Sequence, residues 1–277
     1  MIQTSSDDTI ITRLAQTDGE VEAAQHLRYK VFYEEFEAEP DDEIARAKRD
    51  FDAYDALADH MIVQDTSLGD GPEAIVGTYR MIRRDIVDKH GRFYTSQEYD
   101  ISALLGEDTN AMELGRSCVL PPYRTRPVMQ KLWQGIAAYL VEYNITMLFG
   151  CGSLHGTNPE TFSQQLAYLY HYHLAPDEIR PRAHDSRFVE MNRHPKDELD
   201  AARVFASLPP LFKGYLRVGS MVGDGAVIDY QMHTTDVCIV LPTDVVTQRY
   251  QKHYERALNQ PLPKQATDSA AETEFAD

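Results

Sequence analysis

Between residues 112 and 140 a strand, a basic loop and an amphipathic helix follow one another directly, and this run constrains the fold more than any other part of the chain. Val128, Leu132, Ile136 and Leu140 recur every fourth residue, with Met129, Trp133 and Ala137 beside them. That spacing puts one apolar stripe on a helix. Such a helix must bury its stripe against another layer, and the strand at 112–119 offers one. The loop between them, Tyr123-Arg124-Thr125-Arg126-Pro127, places two arginines where the helix opens. Free N–H groups at a helix start attract anions, and nearby arginines add to the attraction. The loop is therefore a candidate seat for a phosphopantetheine or pyrophosphate; the alternative is an ordinary connection with solvated arginines. It holds no G-x-G-x-x-G, so glycines do not specify a dinucleotide.

The rest of the chain alternates helices with strands. Thr17 and Glu20 form a possible capping box for a helix over 18–36. Val21, Ala24, Leu27 and Val31, with Arg28 and Phe32 one step round, make its stripe. The charged segment 37–53 reads as a surface helix or loop. Apolar runs at 60–64 and 74–81 flank a Gly/Pro/Asp turn at 69–72, the pattern of a β-hairpin. A strand at 147–150 follows the amphipathic helix. Asn158 and Pro159 suit the cap and first turn of a helix to about residue 173. Segments 214–218, 226–230 and 237–241 read as further strands. The order implies an α/β (α+β) fold, a mostly antiparallel central sheet flanked by helices. One domain is expected over 10–250, with a helical insertion near 160–205 and a flexible acidic tail at 259–277.

Charge narrows the partners. The formal net charge of −17 argues against nucleic acid and against simple adhesion to anionic lipid. No apolar run approaches the ~20 residues that span a bilayer. The opening MIQTSSDDTIITRL has neither the basic nor the apolar region of a secretory signal. Cys118, Cys151 and Cys238 lie far apart without metal spacing, so a cytoplasmic protein without a metal is expected.

The blocks LRYKVFYEE (27–35), YDALADHMIV (54–63), IVGTYRM (75–81), ELGRSCVLPPYRTRPVMQKLWQGIAAYL (113–140), FGCGSLHGTNP (149–159) and LPPLFKGYLRVGSMVGDGAVIDYQMHTTDVCIVLP (208–242) resemble the ornithine N-acyltransferase family of ornithine-lipid synthesis. That family is similar in fold to acyl-homoserine-lactone synthases and GNAT acetyltransferases, and the likeness covers roughly residues 10–250. It implies a GNAT-like enzyme passing a 3-hydroxyacyl group from the phosphopantetheine of acyl carrier protein to an amino-acid α-amine, ornithine first. The product would be a lyso-aminolipid, which implies a cytoplasmic enzyme in transient contact with the inner membrane. No tightly bound cofactor is expected. The loop at 123–127 departs from the Gly-rich phosphate motif of acetyl-CoA enzymes, which favours a carrier protein over free CoA as donor. Two rivals stand: an acyl-homoserine-lactone-type or CoA-dependent acetyltransferase of the same fold, and a lipid- or acyl-carrier-binding module without chemistry.

The reaction asks for a proton acceptor, an oxyanion site and an apolar tunnel. Glu113 is a candidate general base or ammonium binder, or else a paired structural carboxylate. Arg116, three residues on, is a candidate clamp for the substrate carboxylate or a buried ion-pair partner. A regular strand would turn it away from Glu113, and a bulge at Gly115 would bring the two together. Arg80, Asp59, His60 and Asp229 are candidates for substrate binding, against solvated, capping or turn roles. Arg124, Arg126 and Val119 are assigned to the donor seat. Acyl carrier proteins are acidic, so Arg124, Arg126 and the arginines at 180–193 are candidates for docking one. Cys118 and Cys151 have no marked partner that would make either a nucleophile.

Overall fold

The computed structural model describes residues 9–246 and 261–263. Of the tail read at 259–277, only 261–263 are among them; there Leu262 is buried in the core and the Pro263 carbonyl accepts from the Thr243 hydroxyl. The remainder of that segment lies outside the described residues.

The first half of the chain runs β1 (Ile10–Leu14), α1 (Asp18–Tyr29), α2 (Asp42–Ala47), β2 (Asp59–Asp65), β3 (Ile75–Arg83), α3 (Arg84–His90), β4 (Tyr99–Asp100) and β5 (Ala111–Val119). It continues with α4 (Arg126–Glu142), β6 (Met147–His155), α5 (Ser163–His173), β7 (Arg182–Ala183), α6 (Ala201–Ser207), α7 (Pro210–Val218), β8 (Met221–Asp229) and β9 (Thr234–Pro242). The strands form one sheet in the order β1-β2-β3-β5-β6-β9-β8-β7-β4. Only β5–β6 and β7–β8 are parallel, so the mostly antiparallel sheet is as expected. The hairpin is present too, with Asp59 opposite Met81. No helix of the described residues is long and apolar enough to cross a membrane.

Thr17 caps α1 by accepting from the Glu20 N–H at 3.3 Å. The box closes one residue early: the Glu20 carboxylate takes the Gln16 N–H at 2.6 Å and pairs with Arg13 of β1. A π-helical turn, Lys30–Glu35, continues the helix.

Because strand side chains alternate, each face of the sheet carries its own layer. Met61, Tyr79, Met81, Met112, Leu114 and Leu148 face α4 and its stripe Val128, Leu132, Ile136 and Leu140. Ile62, Ile75 and Cys118 face the other way, onto Ala23, Ala24, Leu27 and Val31 of α1. α5, α6 and α7 extend the α4 layer over β8 and β9.

One expected strand is a helix. Residues 214–218 are the second half of α7, which starts on Pro210 and ends at Gly219 with φ +106°. Proline at the first position and left-handed glycine just past the end are helix punctuation, and they outweigh the β-like Leu-Arg-Val triplet. β6 runs on to His155, beyond the expected 150, and β1 was not anticipated. α5 is preceded by a 3-10 turn, Pro159–Phe162, capped by Asn158.

Two irregularities shape the centre of the sheet. First, β5 and β6 pair only from Ala111–Met147 to Glu113–Phe149 and then part. At the parting point Gly150 has φ +157°, and a Cβ there would lie 2.1 Å from the Leu114 carbonyl oxygen. Second, Arg80 pairs with Gly115 but Thr78 pairs with Cys118, so Tyr79 faces two residues of β5. Arg116 occupies this bulge with φ +52°.

Candidate active site

Alternation puts Arg80 of β3 and Glu113 of β5 on the α1 face. The bulge one residue past Gly115 turns Arg116 to that face as well, so Glu113 and Arg116 converge on one segment, Tyr94–Thr95. Glu113 accepts from the Tyr94 N–H at 2.7 Å, the Thr95 N–H at 2.8 Å and the Thr95 hydroxyl at 2.7 Å. The Arg116 guanidinium lies over the Tyr94 ring, 4.8 Å from its centre. Burial pushes the Glu113 carboxyl up, against the hydrogen bonds that pull it down.

Behind this pair is a buried charge network. Arg28 of α1 pairs with Asp50 at 2.7 Å and Asp55 at 2.8 Å. Arg80 pairs with Asp52 at 2.6 Å and Asp55 at 3.2 Å. Arg116 reaches Asp50 at 3.2 Å and Asp52 at 3.5 Å. Three arginines thus face three aspartates. Burial works to raise the Asp50 and Asp55 carboxyls, and the arginines overcome it and hold both below the usual range. His60 sits at the back of this network, its Nε2 3.3 Å from the Asp55 carbonyl; burial lowers its pKa more than Asp55 raises it.

A second polar group lies further along the same face. The Cys151 thiol donates to Glu98 at 3.4 Å, and Arg187 pairs with the other Glu98 oxygen at 3.2 Å. Ser153 stands opposite Asp236, so Asp236 shares the face of Cys151. Burial lifts the Asp236 carboxyl to about 7, with the Glu98 charge adding to it. Burial also raises the Glu98 carboxyl and both the Cys118 and Cys151 thiols. Neither cysteine is therefore a ready thiolate nucleophile. Asp229 ends β8, accepting from the Met232 N–H at 2.9 Å. Tyr94 links the two groups. Arg116 pulls its hydroxyl down, but burial and the Asp229 and Glu98 carboxylates leave it pushed up to about 12.

The other face of the sheet is apolar at the same level. The gap between β5 and β6 opens there into a narrow wedge lined by Leu114, Trp133, Leu148, Gly150, Tyr215 and Ile239, with Cys151 at its polar edge. Across the mouth of the gap, Phe36 stacks on His155 of β6 at 4.1 Å between ring centres. Arg124, just past the end of β5, lies over the same Phe36 ring at 5.4 Å.

The structure thus gathers Glu113, Arg116, Arg80, His60 and Asp229 on one face. Asp59 is elsewhere: it faces α4, bonded to Arg83 at 2.7 Å and to the Tyr139 hydroxyl. Arg124 grips Glu35 at 2.5 and 2.6 Å and donates to the Val119 carbonyl at 2.9 Å, while the Val119 side chain is in the core. Arg126 opens α4, and its side chain lies outside the described residues. In the basic cluster, Arg180 pairs with Asp177, Arg182 with Asp185, Arg187 with Glu98 and Arg193 with Glu160.

Sequence reasoning missed Arg28, Asp50, Asp52, Asp55, Tyr94 and Glu98. Arg28 left a trace, a charge beside an apolar helical stripe, and three aspartates within six residues left another. Tyr94 and Glu98 left none, because they reach the site from a loop of 3-10 turns.

A family model described as an acetyltransferase (GNAT) domain matches residues 27–134. The L-ornithine N(alpha)-acyltransferase of Rhizobium meliloti (strain 1021) is 46% identical over 246 residues, which cover 88% of this chain and 83% of that protein. The L-ornithine N(alpha)-acyltransferase of Rhodobacter capsulatus is 38% identical over 245 residues, covering 88% of this chain and 94% of its own length. Among solved structures, the AHL synthase LasI aligns over 93% of this chain and 98% of its own with a TM-score of 0.48 and 13% identity. With its bulged and parted central strands, this acyltransferase chain of GNAT-like fold belongs to the L-ornithine N(alpha)-acyltransferase family.

Proposed function

We propose that the chain transfers a fatty acyl group from a phosphopantetheine thioester to the α-amine of L-ornithine. The observation that carries this reading is the meeting of a charged basin and an apolar wedge at the β5–β6 gap, in a member of this family. Beyond Glu113 the β5 edge that faced β6 has no partner strand among the described residues, which suits a pantetheine arm running along it. The acyl chain then occupies the wedge beneath α4 and α7. The amine lone pair forms the C–N bond while the carbonyl electrons move to oxygen. Free N–H groups of the open edge hold that oxyanion. Its collapse breaks the C–S bond, and the departing thiolate takes up the proton that the amine loses through water.

In this reading Arg116 binds the acceptor's carboxylate from its bulge. Arg80 holds Asp52, one of the two aspartates that orient it, and His60 backs Asp55 behind them. Glu113 is a positioning residue, since its hydrogen bonds are spent on Tyr94 and Thr95. Asp229 faces the acceptor's amine side. The donor is acyl carrier protein, with CoA second. Arg124, with Arg180, Arg182 and Arg193 of the cluster at 180–193, receives the acidic carrier by exchanging its present acidic partners for it, and Arg126 adds its charge at the start of α4. The lyso-aminolipid product leaves to the inner leaflet.

The purified protein is to be incubated with 3-hydroxyacyl carrier protein or acyl-CoA and mixed amino acids, and the products weighed by mass spectrometry. N-acylornithine, formed faster from the carrier protein, is expected. An acyl-homoserine lactone or an acetylated amine would replace this reading with its same-fold rivals, and no thiol release would favour a binding module. Arg116→Lys loses the planar fork that grips a carboxylate. Its kcat/KM for ornithine should fall roughly 10- to 100-fold with the donor KM little changed. An unaltered ornithine KM would remove Arg116 from the acceptor site.

A further inference from the structure

Glu98, Asp236 and Cys151 converge from three separate segments. A carboxylate oxygen of each acid and the Cys151 sulfur lie within 4.8 Å of one another. Asp236 comes from the start of β9, Cys151 from β6 just past its parting from β5, and Glu98 from the 3-10 segment that Glu113 pins at Tyr94 and Thr95. Asp236 is only 6% exposed, and its Oδ1 has no hydrogen-bond partner among the described residues. A carboxylate so placed is costly unless something pairs with it. Arg187 does not, because it engages the Glu98 oxygen turned away from Cys151.

We propose that Glu98 and Asp236, with Asp229 at the rim, form the subsite for the acceptor's second, side-chain ammonium, an inference that rests on ornithine being the acceptor. A primary ammonium carries three N–H donors and one positive charge. The free Asp236 oxygen and the Glu98 oxygen facing Cys151 supply acceptors for it. A divalent metal fits the same donors less well. The Cys151 thiol keeps its proton and donates it to Glu98, and Arg187 already stands beside that carboxylate. Tyr94 separates the two ends of the acceptor site. Arg116 lies on its ring, and its hydroxyl senses Glu98 and Asp229. An α,ω-diamino acid therefore has its carboxylate on one side of Tyr94 and its terminal amine on the other. An amino acid with an apolar side chain leaves Asp236 unpaired, and so is rejected.

The test is kcat/KM for ornithine against norvaline, which has the same carbon chain without the terminal amine. Wild-type protein should prefer ornithine. Asp236→Asn should cut the ornithine-to-norvaline ratio roughly 30-fold or more, Glu98→Gln should cut it in the same direction, and Asp236→Glu should restore part of it. Thermal unfolding of Asp236→Asn at pH 8 should match or exceed wild type, because the replaced carboxylate is buried with only the Thr234 and Ser153 hydroxyls near it and no cation paired to it. An ornithine preference that survives both Asp236→Asn and Glu98→Gln overturns the subsite and leaves the acceptor reading standing. Wild-type protein that acylates ornithine no faster than norvaline overturns the acceptor reading, and the subsite with it.

Discussion

Arg28→Met should destabilise the protein by about 4 kcal/mol, the scale for removing one partner from a buried ion pair. Arg28 is completely buried, and it satisfies Asp50 and Asp55 together. Methionine fills much of the space but leaves Asp55 with Arg80 as its one arginine, beside Gln25, and Asp50 with Arg116 as its one arginine, beside the Tyr33 hydroxyl. The loss is expected as a lower urea midpoint at pH 7 with an unchanged slope. Adding Asp50→Asn to Arg28→Met should recover part of it, since the stranded charge is the main cost. The acid limb gives an independent reading. Burial would raise the Asp50 and Asp55 carboxyls, yet their arginines hold them below the ordinary value. A carboxylate with a depressed folded pKa adds stability above its unfolded pKa of about 4, and that stability is lost as pH falls through the folded value. Wild-type melting temperature should therefore drop steeply below about pH 4. In Arg28→Met the same limb should be shallower. A change below about 1 kcal/mol with an unaltered acid limb would mean that the network contributes no more than surface pairs do.

Gly150→Ala should cost about 3 kcal/mol and lower turnover roughly 100-fold. The new methyl would sit 2.1 Å from the Leu114 carbonyl oxygen, and neither atom belongs to a side chain that could swing aside. One of the two strands has to move. The movement falls where they part, so it displaces the wedge and the open β5 edge together. Gly115→Ala is the matched control. It lies on the adjacent strand, nothing stands within 4 Å of its added Cβ, and its cost should stay within about 1 kcal/mol. Paired thermal melts and acyl-transfer rates decide the matter. Equal behaviour of the two alanine variants would mean that the close approach at Gly150 does not set the gap.

Elements with strong periodicity were legible in the chain itself. The four-residue spacing from Val128 to Leu140 marks α4, and the two apolar runs about a Gly/Pro/Asp turn mark β2 and β3. Residues 214–218 misled because a short apolar triplet has no period of its own, and the prolines that start the helix lie just upstream. The site was legible in part. Glu113 and Arg116 stood out because they flank a glycine in one strand, but their relation depended on a bulge whose place no local spacing fixes. Arg116 in a left-handed conformation is the detail that turns it, and a non-glycine residue seldom announces that state. Tyr94 and Glu98 were invisible because long-range register, set by Glu113 binding two backbone N–H groups, brings them in. Asp236 could have been weighed more heavily: an acid directly before the apolar run Val237–Pro242 is placed where a buried strand begins.

The parting of β5 from β6 also bears on traffic. In the reaction proposed above, head and tail reach the seam from opposite faces of the sheet, so neither substrate blocks the other's door. Both can be aboard at once, and the order of arrival is free. The product then threads the sheet like a button through cloth, its amino-acid end on one side and its chain on the other. Its way out is edgewise, away from the pinch at Gly150 and toward the open ends of the two strands, where Phe36 is held between His155 and Arg124 like a bar across a slot.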